Sequence, residues 1–169
     1  MTGPGTEHAD LTAFLAAQRR AVLDIIDGLD EAALRQTVLP SGWTPLGLIE
    51  HLGGAERFWF QRILTGEVSE PPWPDSGQRD EDEDAPFTSE HPVQEVLAFY
   101  RDACARSDAA LAAAWLDGPP RREIPSWMPP ETHNVRTILL HMIEETARHA
   151  GHLDAARELI DGRTGLGAR

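Results

Sequence analysis

Four polar side chains recur at helical spacing near the end of the chain. They are His141, Glu145, His149 and His152, which follow one another at intervals of 4, 4 and 3 residues. At about 100° per residue in an α-helix, the four fall within an arc of roughly 80°. A helix normally packs such an arc against the core, where buried imidazoles and carboxylates are costly unless a partner satisfies them. A metal ion is the partner that this pattern indicates.

Three residues form the predicted metal site. Glu145 and His149 are four residues apart, so their side chains are neighbours on a helix, with Cβ atoms about 5–6 Å apart. That pair alone is a weak signal, because an exposed ion pair has the same spacing. His51 strengthens it, since this imidazole lies amid the apolar side of another helical segment and helix bundles build metal sites from facing helices. Two imidazoles and a carboxylate leave a fourth position open, as in catalytic zinc sites, and also suit nickel, iron or manganese.

Other residues of chemical interest are secondary to this set. His141 is interpreted as a packed helix residue, and the alternative is a side chain that contacts a metal ligand. His152 stays open between a group that faces the substrate or a metal ligand and a surface histidine, and it is the candidate catalytic residue. Cys104 lies among apolar positions, which favours an inert core thiol over a nucleophile. Trp73 and Trp127 lie in proline-rich segments and are candidates for the wall of a pocket at one end of the bundle.

Helical periodicity predicts the elements that must position these groups. Thr44 and Asn134 are predicted helix N-caps, Pro45 suits a first helical position, and Gly162 suits a helix end. With these boundaries, the long helices are predicted at about 10–29, 44–64, 92–115 and 134–162, with a short helical piece at about 30–37.

The periodicity also predicts which side chains are buried. Phe14 and Trp115 belong to the apolar sides of the first and third long helices, whereas Arg19 lies largely off the apolar stripe. On the second long helix, Glu50 and Gln61 are expected on the side away from the core. On the last helix, Asp154 and Arg157 form an i, i+3 pair that is interpreted as ordinary surface or interhelical structure.

Two long connections separate the later helices. Residues 67–90 contain four prolines and the acidic block Asp80–Asp84, which predicts a solvated loop. A second proline-rich connection spans 118–132, and no strand pattern persists beyond a few residues. We therefore predict an all-α fold, a four-helix bundle with long loops between helices two and three and between helices three and four. A chain of 169 residues suits a single domain, 1–169.

The composition of the chain excludes several classes of function. The net charge of −13 argues against nucleic acid and against an anionic membrane surface, because phosphates would be repelled. No apolar run approaches the ~20 residues that span a bilayer. The single cysteine excludes an internal disulfide, and the first residues lack the pattern of a signal peptide. These features predict a soluble cytoplasmic protein that binds neither nucleic acid nor a membrane.

Two stretches of the chain closely resemble the signature stretches of the mini-circle protein family. They are SGWTPLGLIEHLGGAERFWF (41–60) and VRTILLHMIEETARHAGHLDAARELIDG (135–162). That family is a branch of the DinB/YfiT-like superfamily of metal-binding four-helix bundles, whose members commonly use three histidine ligands. Glu145 replaces one of those histidines here, which resembles the His/Glu/His pattern of the mycothiol-dependent maleylpyruvate isomerases. The resemblance therefore carries a zinc-ligand role onto His51, Glu145 and His149.

The resemblance also implies an activity. The C-terminal domain of those isomerases has no counterpart here, and related single-domain members are similar to thiol S-transferases that use mycothiol or bacillithiol. It implies a metal-dependent S-transferase that joins a low-molecular-weight thiol to small electrophiles, with His152 orienting a group or accepting a proton. The alternatives are a metal-dependent hydrolase or isomerase and a non-catalytic metal-binding stress protein. A homodimer is left open, because dimers are common in the superfamily.

Overall fold

Long helices build the fold. The computed structural model describes residues 4–67, 72–73, 86–128 and 133–165, and every regular element within these ranges is helical. This result confirms the predicted all-α bundle, while the acidic block Asp80–Asp84 lies outside the described residues. None of the helices in these ranges is long and apolar enough to cross a membrane. In chain order the elements are α1 (Pro4–Ile26), α2 (Glu31–Leu34), α3 (Pro45–Glu56), a π-helix that continues α3 (Arg57–Leu64), α4 (Val93–Ala112) and α5 (Val135–Asp161).

The helix ends follow local chemistry. The Thr44 side chain accepts a hydrogen bond from the backbone N–H of Gly47 at 3.1 Å and caps α3. Asn134 caps α5 in the same way, and Gly162 ends that helix in a left-handed conformation with φ of 80°. The predicted caps are thus confirmed. The first helix begins earlier than predicted, at Pro4, and α4 ends earlier, at Ala112.

The bundle is held by two packed pairs of helices. α1 packs most extensively against α5, and α3 packs most extensively against α4. Two hydrophobic clusters fill the space between them, one towards each end of the bundle. Fully buried members of the first cluster include Val22, Leu46, Ile49 and Leu153, and those of the second include Leu15, Phe60, Ile138 and Met142.

The π-helix that follows α3 changes which side chains point towards the core. A π-helix has wider turns than an α-helix, because each backbone hydrogen bond spans five residues. At the end of this one, the backbone N–H of Thr65 donates to the carbonyl of Phe60, five residues earlier. Gln61 is consequently only 3% exposed and donates to the carbonyl of Ala103 at 3.3 Å. The prediction that Gln61 lies away from the core is wrong, because it assumed the angle per residue of an α-helix.

Three other burial predictions are also wrong. Phe14 and Trp115 are 62% and 68% exposed, respectively. The buried stripe of α1 runs through Leu15, about 100° around the helix from Phe14, and Trp115 lies beyond the end of α4. Glu50, expected on the outer side, is only 9% exposed because the indole N–H of Trp73 donates to its carboxylate at 3.0 Å.

Arg19 forms a buried ion pair where an outward-facing residue was predicted. Its guanidinium donates two hydrogen bonds to the Glu56 carboxylate, at 2.7 and 2.6 Å, and a third to Asp108 at 2.6 Å. Arg19 is 6% exposed and Glu56 is fully buried. This paired geometry satisfies both charges inside the bundle and ties α1 to α3.

A second arginine ties the last helix to the first. Arg157 pairs with Asp161 at 2.8 Å and donates to the carbonyls of Ile25 and Asp27 at the end of α1. Asp154 instead accepts from the backbone N–H of Gly165. Arg157 therefore pairs with Asp161 and not with Asp154, and its contacts with the end of α1 agree with the interhelical interpretation.

Candidate metal centre

The three predicted ligands come together between α3 and α5. The Nε2 atoms of His51 and His149 each lie 3.0 Å from Oε1 of Glu145. One candidate ligand atom from each residue lies within 4.8 Å of the others. Glu145 and His149 are close together because they lie four residues apart on α5, and His51 reaches them from the facing helix α3. The arrangement presents two imidazole nitrogens and one carboxylate oxygen to a common point.

The three side chains of the cluster differ in their exposure to solvent. The His149 side chain is only 6% exposed, whereas those of His51 and Glu145 are 26% and 19% exposed. The cluster therefore lies at the edge of the core, with His149 at its inner side. This placement leaves the His51 and Glu145 side chains partly accessible to a small molecule, while His149 is covered.

The electrostatics favour an ionised carboxylate. Burial alone raises the pKa of Glu145, but hydrogen bonds with His149 and His51 outweigh burial and hold that pKa well below its usual range. A carboxylate beside two imidazoles is the donor set of many catalytic zinc sites. The residues therefore fit a divalent metal, and their role as ligands stays a prediction.

Two buried imidazole nitrogens complete the inner side of the cluster. Nδ1 of His149 and Nδ1 of His152 are buried and have no hydrogen-bond partner within the described ranges. The two rings lie 5.5 Å apart between centroids. Buried polar atoms without partners are rare in proteins, and a catalytic or ligand-binding role is one explanation for them. The structure thus places His152 beside the cluster, as a neighbour of His149.

Aromatic rings pack around the cluster. The ring in closest contact with a predicted ligand, that of Phe87, was not predicted from the sequence. Phe87 stacks on the His51 imidazole at 4.0 Å between centroids, and Trp43 contacts the His152 ring edge-on at 4.6 Å. Phe87 belongs to a segment without helical periodicity, so no pattern signalled it. The backbone explains its position, because the Phe87 carbonyl accepts from the N–H of Thr44 at 3.0 Å, directly before α3.

Gly47 permits this close packing of the Phe87 segment. A Cβ atom at position 47 would lie 2.2 Å from the Phe87 carbonyl oxygen and 2.4 Å from its carbon. Real contacts of this kind do not occur, so any larger residue there must displace the segment. The first turn of α3 therefore positions both His51 and the ring that covers it.

His141 and the loop tryptophans lie in different surroundings. His141 packs edge-on against Trp59 at 4.7 Å and lies 6.0 Å from the ring of Trp127. Burial lowers the pKa of His141, which agrees with the interpretation of a packed residue. Trp73 instead stacks on His91 at 4.2 Å. Trp127 lines a pocket along α5.

That pocket is a groove of about 560 Å³ that runs along the outer side of α5. Glu145 belongs both to the groove and to the cluster, so the groove reaches the cluster at this residue. The volume lies within the range of about 300–1,000 Å³ that small-molecule sites occupy. The lining residues are Trp127, Met128, Asn134, Arg136, Thr137, Leu140, His141, Glu144, Glu145 and Arg148.

Cys104 lies apart from this site. Burial, together with the negative charge of Glu56, raises the pKa of its thiol to about 12. A thiol with so high a pKa is almost wholly protonated at neutral pH and is a poor nucleophile. This agrees with the prediction of an inert core thiol.

Comparison with known proteins adds one finding. Residues 10–162 match the model of the family described as mycothiol-S-transferase. No curated protein and no solved structure gives a significant match to the chain. The matched region includes α3 and α5, and with them all three residues of the cluster.

Proposed function

Because the chain belongs to the mycothiol-S-transferase family, which is part of the DinB/YfiT-like superfamily, we propose that it is a metal-dependent enzyme that transfers mycothiol to small electrophiles. The assignment to the mini-circle branch stays a prediction. The observation that carries the proposal is the convergence of His51, Glu145 and His149 within 4.8 Å of one another. These three residues would hold the metal. Zinc is the favoured ion, and nickel, iron and manganese accept the same ligands.

The chemistry of such a site suits thiol transfer. A divalent metal bound there supplies positive charge that lowers the pKa of a thiol in contact with it. The protein's own residues supply the surroundings: Phe87 and Trp43 shield His51 and His152 on one side, and the Glu145 side chain, 19% exposed, stays accessible to a ligand. The thiolate sulfur forms a bond to the electrophilic carbon, and the electron pair of the broken bond departs with the leaving group.

His152 is the proposed acceptor of the thiol proton. Its ring lies 5.5 Å from that of His149, and its buried Nδ1 has no partner within the described ranges. An imidazole next to a metal ligand can take a proton directly or through one water from a thiol bound within hydrogen-bond reach of it. His152→Gln is expected to lower kcat by about 10²-fold, the smaller end of the range for general base catalysis, while metal content stays at the wild-type value.

The proposal is tested by metal content and turnover together. Protein purified without chelators is assayed for bound metal and for conjugation of monobromobimane with mycothiol. We expect about one metal per chain and thiol-dependent conjugation that is lost after chelation. Glu145→Gln removes the ligand charge and should abolish both. Glu158→Gln, an exposed position on the same helix, serves as the control and should retain both.

Two results would point to the alternatives. Hydrolysis of an electrophile at equal rates with and without thiol would favour a hydrolase that uses the same residues. Stoichiometric metal binding without turnover of mycothiol, bacillithiol or glutathione would favour a non-catalytic metal-binding protein. Absence of bound metal, with no thermal stabilisation by added zinc, would contradict the metal site itself.

A further inference from the structure

A short segment outside the helices covers one of the predicted metal ligands. Residues 86–91, here called the cover segment, have no regular secondary structure and carry the Phe87 ring that stacks on His51. The first end of the segment is fixed at the start of α3, where the Phe87 carbonyl accepts from Thr44 and packs tightly against Gly47. The position of the ring therefore depends on how the second end of the segment is held.

An arginine holds the second end of the cover segment. Arg35, directly after α2, donates hydrogen bonds to the backbone carbonyl of Ser89 at 2.7 Å and to that of His91 at 2.8 Å. The two bonds come from different nitrogens of the planar guanidinium, so they fix the orientation of the segment as well as its distance. Hydrogen bonds from a charged donor are also stronger than those between neutral groups. Arg35 therefore ties the cover segment to α2.

Glu31 in turn orients this arginine. One carboxylate oxygen of Glu31, a helical turn earlier, accepts from Nε and Nη2 of Arg35 at 3.1 and 3.0 Å. Glu31 is exposed and Arg35 is partly exposed, and an exposed ion pair of this kind adds little to the stability of the fold. Its main effect is to restrict the rotamers of Arg35, so that the guanidinium faces the two carbonyls of the cover segment.

The side chain of His91 links the same end of the cover segment to α3. Its ring stacks on Trp73 at 4.2 Å between centroids, and its Nε2 lies 3.9 Å from the carboxylate of Glu50. Glu50 directly precedes His51 in α3. The cover segment is thus attached at both of its ends, to the start of α3 through Phe87 and to α2 and Glu50 through its last residues.

We propose that Arg35 is a positioning residue for the metal centre, which holds the cover segment so that the Phe87 ring limits the rotation of the His51 imidazole. The inference rests on the proposed function for the role of His51 as a ligand. Arg35 bonds to the backbone of the cover segment, and its effect on His51 passes through the Phe87 ring. Without the guanidinium, the segment keeps its contacts at the start of α3 but gains freedom at its second end, and the ring no longer holds one orientation over the imidazole.

A cycle of variants tests whether Arg35 acts through Phe87. Zinc affinity is measured by competition with a chromophoric chelator for wild-type protein, Arg35→Met, Phe87→Ala and the double variant. We expect Arg35→Met to lower the affinity by about fivefold, just below the range for groups that contact a metal ligand directly. In the Phe87→Ala background the same substitution should have no further effect, because the ring that transmits it is gone. Arg101→Met, at an exposed position on α4, is the control and should match the wild type. Wild-type affinity in Arg35→Met, or losses that add fully in the double variant, would overturn the inference.

A spectroscopic measurement on metal-free protein separates this inference from the proposed function. The ring current of Phe87 shifts the NMR signals of the His51 imidazole protons upfield, and His51→Gln assigns those signals. We expect Arg35→Met to move them towards the positions of an uncovered imidazole. Arg35→Lys, which keeps the charge but not the planar fork of donors, should move them part of the way and keeps the test available if Arg35→Met does not fold.

These shifts would support the positioning role even if the wild-type protein bound no zinc or transferred no thiol. Unchanged His51 signals in both Arg35 variants, together with a lower free energy of unfolding, would show that the arginine only stabilises the fold. That result would overturn the inference and leave the proposed function standing.

Discussion

The phenyl ring of Phe87 lies on the imidazole of His51, with centroids 4.0 Å apart and ring planes inclined by 23°. The contact joins the segment before α4 to a predicted metal ligand on α3. Since the Phe87 backbone is also held by Thr44 at 3.0 Å, the ring is a fixed cover and not a loose side chain. It restricts the orientations that His51 can adopt.

Removal of the Phe87 ring should weaken metal binding. In Phe87→Ala, His51 gains rotational freedom and exposure to water, so we expect zinc affinity to fall by about tenfold, as for other residues that orient a ligand. Competition with a chromophoric chelator measures the affinity. Phe14→Ala, which removes an exposed ring on α1, should leave it unchanged. Equal zinc affinity in the two variants would show that the stacking has no influence on His51.

A pair of glycine substitutions tests the close approach at the start of α3. Gly47→Ala places a Cβ 2.2 Å from the Phe87 carbonyl oxygen, and we expect a loss of about 1–3 kcal/mol in the free energy of unfolding. Gly151→Ala meets no atom within 4 Å and should stabilise the helix by about 0.5–1 kcal/mol. Urea denaturation measures both. A neutral Gly47→Ala would mean that the Phe87 segment can move away at no cost.

The ion pair between Arg19 and Glu56 should be essential to stability. Arg19→Met leaves the fully buried Glu56 carboxylate without its main partner, and the expected loss is about 3–5 kcal/mol in the free energy of unfolding. Arg20→Met, at the exposed neighbouring position, should change it by less than about 0.5 kcal/mol. Replacing both charges, with Arg19→Met and Glu56→Leu together, should recover much of the loss. Additive losses in the double variant would contradict this account.

Alkaline pH should destabilise the fold through Cys104. Burial raises the pKa of this thiol to about 12, whereas an unfolded cysteine has a pKa of about 8.5. Between these values the unfolded chain binds fewer protons than the folded chain, so the free energy of unfolding falls as pH rises. The slope between about pH 9 and pH 11 should be steeper in wild-type protein than in Cys104→Ala, by up to about 1.4 kcal/mol per pH unit. Equal slopes would show that the folded thiol titrates normally.

The helices and the candidate cluster could be predicted because they depend on sequence features that are local, such as helix caps, or that repeat along the chain, such as helical spacing. Caps such as Thr44 and Asn134 mark helix starts within a few residues. Glu145 and His149 are neighbours on any α-helix, so only the third partner required a guess about tertiary structure. His51 supplied it, since its polar ring interrupts an otherwise apolar segment.

The remaining features depend on contacts between distant parts of the chain. Arg19 looked like a surface residue because its partner Glu56 lies 37 positions later, and no periodicity links the two. Phe87 lies in a segment without regular structure, and its role follows from a backbone hydrogen bond to Thr44. Sequence patterns describe which side of a helix is apolar, but they do not identify the partner that can neutralise a charge there.

The π-helix after Glu56 has a consequence for comparing this chain with its relatives. Because each backbone hydrogen bond there spans five residues instead of four, the segment Arg57–Leu64 accommodates at least one residue more than a plain α-helix that covers the same rise. A relative with a one-residue deletion in this interval can keep the same bundle by closing the wide turns. We expect alignments of the family to require a gap there, downstream of His51, and the register of the ligand residues to be preserved across it.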